Sequence, residues 1–219
     1  MAYGHVLIHL IIHLICDVLY LRIGRQFRAK SVQLFGGGML LNLLNQKIEL
    51  PKKSRIVTQP YVDFLARQFE LSHSGFHGIE HWFRVLINGR LIARETGADL
   101  DVIEHFALIH DVMRNNEDED KYHGNRAMEF VGVFANDWIQ LSNDQLEQLK
   151  EAVQFHSMGR LTRDITIQSC WDADRLDLGR VGIRPNSTYL GTRIARDPEF
   201  LESAYQRSKQ RFVDYSFRR

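Results

Sequence analysis

From Tyr61 onward the apolar residues recur at intervals of three and four, and no run alternates in the manner of a half-buried strand. Val62, Leu65, Ala66 and Phe69 form the first such stripe, behind Pro60 at its favoured place in a helical first turn. A turn rich in Ser, Gly and His follows at 72–78. The next helix is predicted over about 78–96, with Ile79, Trp82, Phe83, Leu86, Leu91 and Ile92 apolar and Gly97 ending it. Further helices are expected over 101–113, capped by Asp99 or Asp101, and over 122–138, 143–158 and 198–213. Ser142 and Gln145 have the spacing of a capping box ahead of the second-last of these. Residues 162–179 read ambiguously, because Thr162, Ile165 and Thr166 suit either state. The expected class is all-α, and the expected architecture is a helical bundle.

Before this region lies a different kind of segment. Residues 6–23, VLIHLIIHLICDVLYLRI, are apolar but broken by His9, His13 and Asp17, with Arg22, Arg25, Arg28 and Lys30 close behind or at the end. A membrane span needs roughly 20 apolar residues and tolerates a central carboxylate poorly. An amphipathic helix packed on the domain or a partner is therefore preferred to membrane contact. His5, His9 and His13 share a helical face whose neighbours favour packing over metal binding. Gly36, Gly37 and Gly38 break the segment before Met39, where a shorter product could begin. Residues 1–55 are read as an apolar and basic extension with its linker, and 56–219 as the working domain. Cys16 and Cys170 are the only cysteines, far apart, which suits a reducing compartment and hence the cytoplasm, with membrane association as the alternative. Formal net charge is +1, so no global field draws the chain to nucleic acid.

The chemistry-bearing residues are concentrated. Seven of the ten histidines fall between residues 73 and 156. His110 and Asp111 stand side by side at the end of the apolar stretch FALIHDVMR. Neighbours on a helix point about 100° apart, so both reach an ion lying in the wedge against another helix. His81 lies in HGIEHWFRV, and Asp172 and Asp174 lie in CWDADRLDLGRV among apolar neighbours. Carboxylates in such a setting need a partner or a cation. A ligand set of His and Asp suits manganese, iron, cobalt or nickel better than calcium. The expected cofactor is one such divalent ion, or two.

In order, His81, the pair His110 and Asp111, and Asp174 form a series H…HD…D that resembles the HD-domain superfamily of metal-dependent phosphohydrolases. EHWFRV, FALIHDVMR and DADRLD each resemble the matching family segment, and the likeness covers about residues 70–180. It implies a bundle of helices with His81, His110, Asp111 and Asp174 as metal ligands and Asp172 behind them. Arg114 replaces the Glu or Lys that members carry after the pair, and its fork suits phosphate oxygens as well as a helix C-terminus. His123 and His156 occupy segments from which two-metal members draw extra ligands. As ligands they would make Asp111 a bridge, and otherwise they would donate to phosphate. His77, one turn before His81, and Arg175 are further candidates for substrate contact, although Arg175 could pair with a neighbouring carboxylate. His73 and His105 receive no role. The GYP segment of cyclic-dinucleotide hydrolases and the acidic pair of alarmone hydrolases are absent.

The resemblance thus implies metal-assisted hydrolysis of a phosphate ester or anhydride on a small phosphorylated substrate. Asp111, Arg114, His123 and His156 form the expected catalytic set, and His77, Arg114, His123 and Arg175 the expected substrate contacts. Two other readings are open at this point. One is a regulatory module that binds metal and nucleotide without turnover. The other is a di-iron oxygenase built on the same helices.

Overall fold

A computed structural model describes residues 54–210. The N-terminal extension, including residues 6–23 with His9 and His13 and the earlier His5, lies outside the described residues. Eight α-helices and no strand occur among the described residues, as the periodicity predicts. They are α1 (Gln59–Gln68), α2 (Ile79–Thr96), α3 (Leu100–Ile109), α4 (His123–Phe134), α5 (Asn143–Phe155), α6 (Ile165–Arg175), α7 (Arg193–Arg196) and α8 (Pro198–Ser208). Short 3-10 turns follow α5 and α6 and precede α7. No helix among the described residues is long and apolar enough to cross a membrane.

The longest helix, α2, is the axis. It is buried on nearly every face and packs against α3, α6, α7 and α8, while α5 lies against α3, α4 and α6. A helix enclosed on all sides must be apolar all round, and Ile79, Trp82, Phe83, Val85, Leu86, Leu91 and Ile92 meet that need. Gly89 lets α3 come close, since a Cβ there would lie 2.5 Å from a methyl of Ile103. Gly97 closes α2 in the left-handed conformation (φ 74°) that glycine adopts without steric cost. The first helix seats its aromatic face on the segment after α4, with Phe64 stacked on Trp138 at 4.6 Å.

Capping explains most of the boundaries. Asp99, not Asp101, caps α3, accepting from the backbone amides of Asp101 and Val102. Ser142 and Gln145 form the full capping box on α5. The ambiguous stretch is helical because the Asp164 carboxylate accepts from Thr166 N and Ile167 N. Its far end is buried against α5, where Trp171 Nε1 donates to Ala152 O at 2.9 Å. A cap and a buried face outweigh the mild strand preference of Thr and Ile. The helix expected over 101–113 stops at Ile109, and the one expected over 122–138 stops at Phe134. The expected 198–213 ends at Ser208. The segment 143–158 divides into α5 and a 3-10 turn over His156–Met158. The two histidines left without a role serve the frame. His105 Nδ1 meets the Tyr61 hydroxyl at 2.9 Å, and His73 Nε2 meets Ala66 O at 2.9 Å.

Asp99 ties three helices together, because it also accepts from Gln145 Nε2 and its amide donates to Thr166 Oγ1. Asp99→Ala is expected to lower unfolding stability by about 1–2 kcal/mol, the upper part of the usual cap range, as measured by urea titration followed through tryptophan fluorescence.

Candidate metal centre

Five segments deliver the ligand candidates to one end of the bundle. His77 and His81 come from the turn before α2 and its first turn, and His110 and Asp111 from the C-terminus of α3. His123 opens α4, His156 follows α5, and Asp174 lies in the last turn of α6. His110 and Asp111 are not inside a helix, as the sequence suggested, but in the turn that ends one. That turn is closed by Val112 N on Ile109 O at 2.9 Å and Arg114 N on Asp111 O at 3.1 Å. The release of helical geometry lets the two side chains converge. Gly124 performs the same service at α4. A Cβ there would lie 2.4 Å from Gln154 O, so only glycine brings His123 up to the end of α5 and to His156.

The orientation of the imidazoles carries most of the information. His81 donates from Nδ1 to Asp177 Oδ2 at 2.7 Å. His110 Nδ1 faces the carbonyls of Phe106 and Ala107, each at 3.2 Å. His156 Nδ1 donates to Val153 O at 2.7 Å, and His123 Nδ1 to Asp120 O. All four acceptors are oxygens without a proton, so each neutral ring carries its hydrogen on Nδ1 and a bare lone pair on Nε2. Those bare nitrogens point at one another. His81 and His110 stand 3.0 Å apart, Nε2 to Nε2, and His123 and His156 stand 2.8 Å apart. Two facing lone pairs repel unless a proton or a metal ion lies between them.

The carboxylates complete the pattern. Asp111 Oδ2 is 3.4 Å from His81 Nε2 and 3.6 Å from His110 Nε2, while Asp174 Oδ1 is 3.5 and 3.8 Å from the same atoms. The other oxygen, Asp111 Oδ1, is 3.5 Å from both His123 and His156 Nε2. It is buried and has no hydrogen-bond partner among the described residues. Ligands about 2.0–2.2 Å from an ion lie roughly 3–3.5 Å from each other, so these separations fit coordination nearly as they stand. Three overlapping triads keep their ligand atoms within 4.8 Å of one another, namely His77, His81 and Asp111; His81, His110 and Asp174; and His110, Asp111 and His156. The residues present can hold a metal ion.

Charge follows the same plan. Burial alone would raise the Asp111 carboxyl, but the imidazoles of His110, His156, His77 and His81 hold it well below its ordinary value. Asp174 is likewise pushed up by burial and pulled down further by His110, His81 and Arg180, to about 2. Burial lowers His110 to about 3. Burial and the neighbouring His156 lower His123. The carboxylates are therefore kept ionised and these two imidazoles neutral, as metal binding requires, while the Asp111 carboxylate raises His156 against the effect of burial.

A cavity of about 320 Å³ opens on the cluster, lined by His77, Asp111, His156 and Asp174 on its inner side and by Arg114, Arg175 and Arg180 along its walls. All the residues singled out in the sequence except Asp172 are thus gathered at or around this site. Asp172 accepts from Gly191 N, Thr192 N, Thr192 Oγ1 and Gln168 Nε2, and so fastens the turn before α7 rather than backing the ligands. The backing carboxylate is Asp177, which receives His81 Nδ1 on one oxygen and Arg84 Nε on the other, both at 2.7 Å. His77 donates to Asp111 Oδ2 at 2.7 Å as well as lining the cavity. Among the described residues Arg175 makes no ion pair with a carboxylate; it donates to the carbonyls of Tyr189 and Arg160. Asp177 and Arg180 escaped the sequence reading, although Asp174, Asp177 and Arg180 recur every third residue.

In comparisons with family models, curated proteins and solved structures, no match to the chain was found.

Asp177 fixes the tautomer of His81, and partners of that kind typically contribute 10–100-fold to metal affinity. Asp177→Asn is expected to weaken Mn²⁺ binding by about one to two powers of ten, measured by calorimetric titration of metal-free protein, with the far-ultraviolet circular dichroism of a folded helical protein retained.

Proposed function

We propose that this protein is a metal-dependent phosphohydrolase of the HD-domain type, with two divalent ions sharing Asp111. The observation that supports it best is the division of one buried carboxylate between two pairs of bare imidazole nitrogens. His81, His110, Asp174 and Asp111 Oδ2 would hold one ion, and His123, His156 and Asp111 Oδ1 the second. Four imidazoles with two carboxylates favour manganese, iron, cobalt or nickel. Bound ions of this kind make water acidic enough to act as a nucleophile near neutral pH and offset charge on phosphoryl oxygens.

The chain's own residues do the rest. His77 holds Asp111 Oδ2, and Asp177 and the carbonyls of Phe106, Ala107, Asp120 and Val153 hold the rings, so the donor set is preorganised. Arg114 is stapled to the 115–120 loop through Asn116 O and Asp118 O, and its Nη1 remains 3.7 Å from Asp111 Oδ1. The arginine-lined cavity admits an anion to the cluster. The net reaction joins a water oxygen to phosphorus and breaks the ester or anhydride P–O bond. The leaving oxygen takes up a proton.

Elemental analysis of protein loaded with manganese, iron, cobalt or nickel is expected to find two ions per chain, together with phosphate release from small phosphorylated compounds. Asp111→Ala should lose both ions and all activity. His156→Ala should keep about one ion, because it strips only one of the two pairs. Full occupancy in Asp111→Ala would remove the ligand assignment. Oxygen consumption with an organic substrate, in place of phosphate release, would replace the hydrolase with the di-iron reading.

A further inference from the structure

The cavity wall is positive in a particular way. The two carboxylates it contains, Asp111 and Asp174, belong to the metal cluster, while three guanidinium groups face the remaining space. Each is positioned by backbone carbonyls. Arg114 donates to Asn116 O and Asp118 O, Arg175 to Tyr189 O and Arg160 O, and Arg180 to Phe76 O at 2.9 Å and Asp177 O at 3.1 Å. Among the described residues the nearest carboxylate oxygens to Arg114 and Arg180 are 3.7 and 4.0 Å away. The one beside Arg180 belongs to Asp177, which already serves His81 and Arg84. A carbonyl fixes a guanidinium in place without cancelling its charge, so the wall keeps a positive field for something else to meet.

The three arginines differ in what they have left to give. Arg175 has both terminal nitrogens engaged. Arg114 turns its last nitrogen to Asp111 and His123, among the ligands themselves. Arg180 alone spends Nε and Nη1 on carbonyls and keeps Nη2 without a partner among the described residues. Its side chain is 92% buried, being only 8% exposed, so the guanidinium is held in place with one nitrogen to spare. Its two anchors are the turn that carries His77 and the residue three beyond Asp174, which places it on the wall beside the cluster.

We propose that Arg180 grips the phosphate of the substrate, and that the substrate is a compact organic phosphomonoester. A monoester dianion has three non-bridging oxygens, enough to serve the metal cluster and a guanidinium together, where a diester has two. About 320 Å³ lies at the small end of ligand sites, which run from roughly 300 to 1,000 Å³. That volume suits one small organic body beside the cluster. Leu178, Pro185, Tyr189 and Leu190 line the same cavity and offer apolar surface to that body. The substrate class rests on the hydrolase reading; the anion contact does not.

The test uses inorganic phosphate as the probe for the anion contact and para-nitrophenyl phosphate for turnover, both with the manganese-loaded full chain. Arg180→Gln is expected to weaken phosphate binding and to raise KM by roughly tenfold or more, with kcat changed less and manganese content unaltered. Arg180→Lys keeps the charge and loses the fork, and should recover part of the loss. If Arg180→Gln fails to fold, Arg180→Lys against the natural chain decides, and equal phosphate affinity overturns the proposal. Arg180-dependent phosphate binding without turnover of any monoester would leave the anion contact standing and remove the hydrolase. Turnover with KM and phosphate affinity indifferent to Arg180 would remove the contact and leave the hydrolase. Faster hydrolysis of bis(para-nitrophenyl) phosphate than of the monoester would overturn the substrate class.

Discussion

Two pairs of imidazole Nε2 atoms are pressed together at 3.0 and 2.8 Å, and a proton or a cation between them relieves the contact. Much of the bundle is arranged to impose that condition. The carbonyls of Ala107 and Val153 lie in the last turns of α3 and α5, where acceptors lose intrahelical partners, and each receives an Nδ1 hydrogen from a histidine just beyond the helix. Helix ends thereby serve twice, closing their own hydrogen-bond ledger and selecting the tautomer that exposes Nε2. Asp111 enters between the pairs with one oxygen for each. The histidines around it more than compensate for the loss of water around its charge.

The helices and their caps were largely legible in the sequence, because apolar spacing and Asp, Ser and Gly signals are local. Asp99, Ser142 and Gly97 act where their neighbours suggest they should. The ends were less legible. Nothing in FALIHDVMR announces that the helix stops at Ile109, and stopping there is what lets His110 and Asp111 face one another's partners. The ambiguous segment over 162–179 was settled by the Asp164 cap together with burial against α5, and the second of these no local pattern contains.

The site divides in the same manner. His81, His110, Asp111 and Asp174 were readable because ligand-type residues in an apolar setting are conspicuous. Asp172 and Asp177 were not separable, since both are acidic residues within the same few positions. What distinguishes them is partner choice across long stretches of chain. Asp172 finds the backbone of Gly191 and Thr192, and Asp177 finds His81 and Arg84. Arg180 was invisible for a related reason, because a guanidinium held by carbonyls looks in sequence like any surface arginine.

The latch of Asp177 on His81 and Arg84 joins residues 96 and 93 positions apart. A ribosome adds about 5–20 residues each second, so a nascent chain exposes His81 for some 5–20 s before its orienting carboxylate has been made. Through that interval the His81 ring lacks the carboxylate that fixes its tautomer. The orientation of that ring is therefore a property of the completed bundle and not of the local segment that carries it.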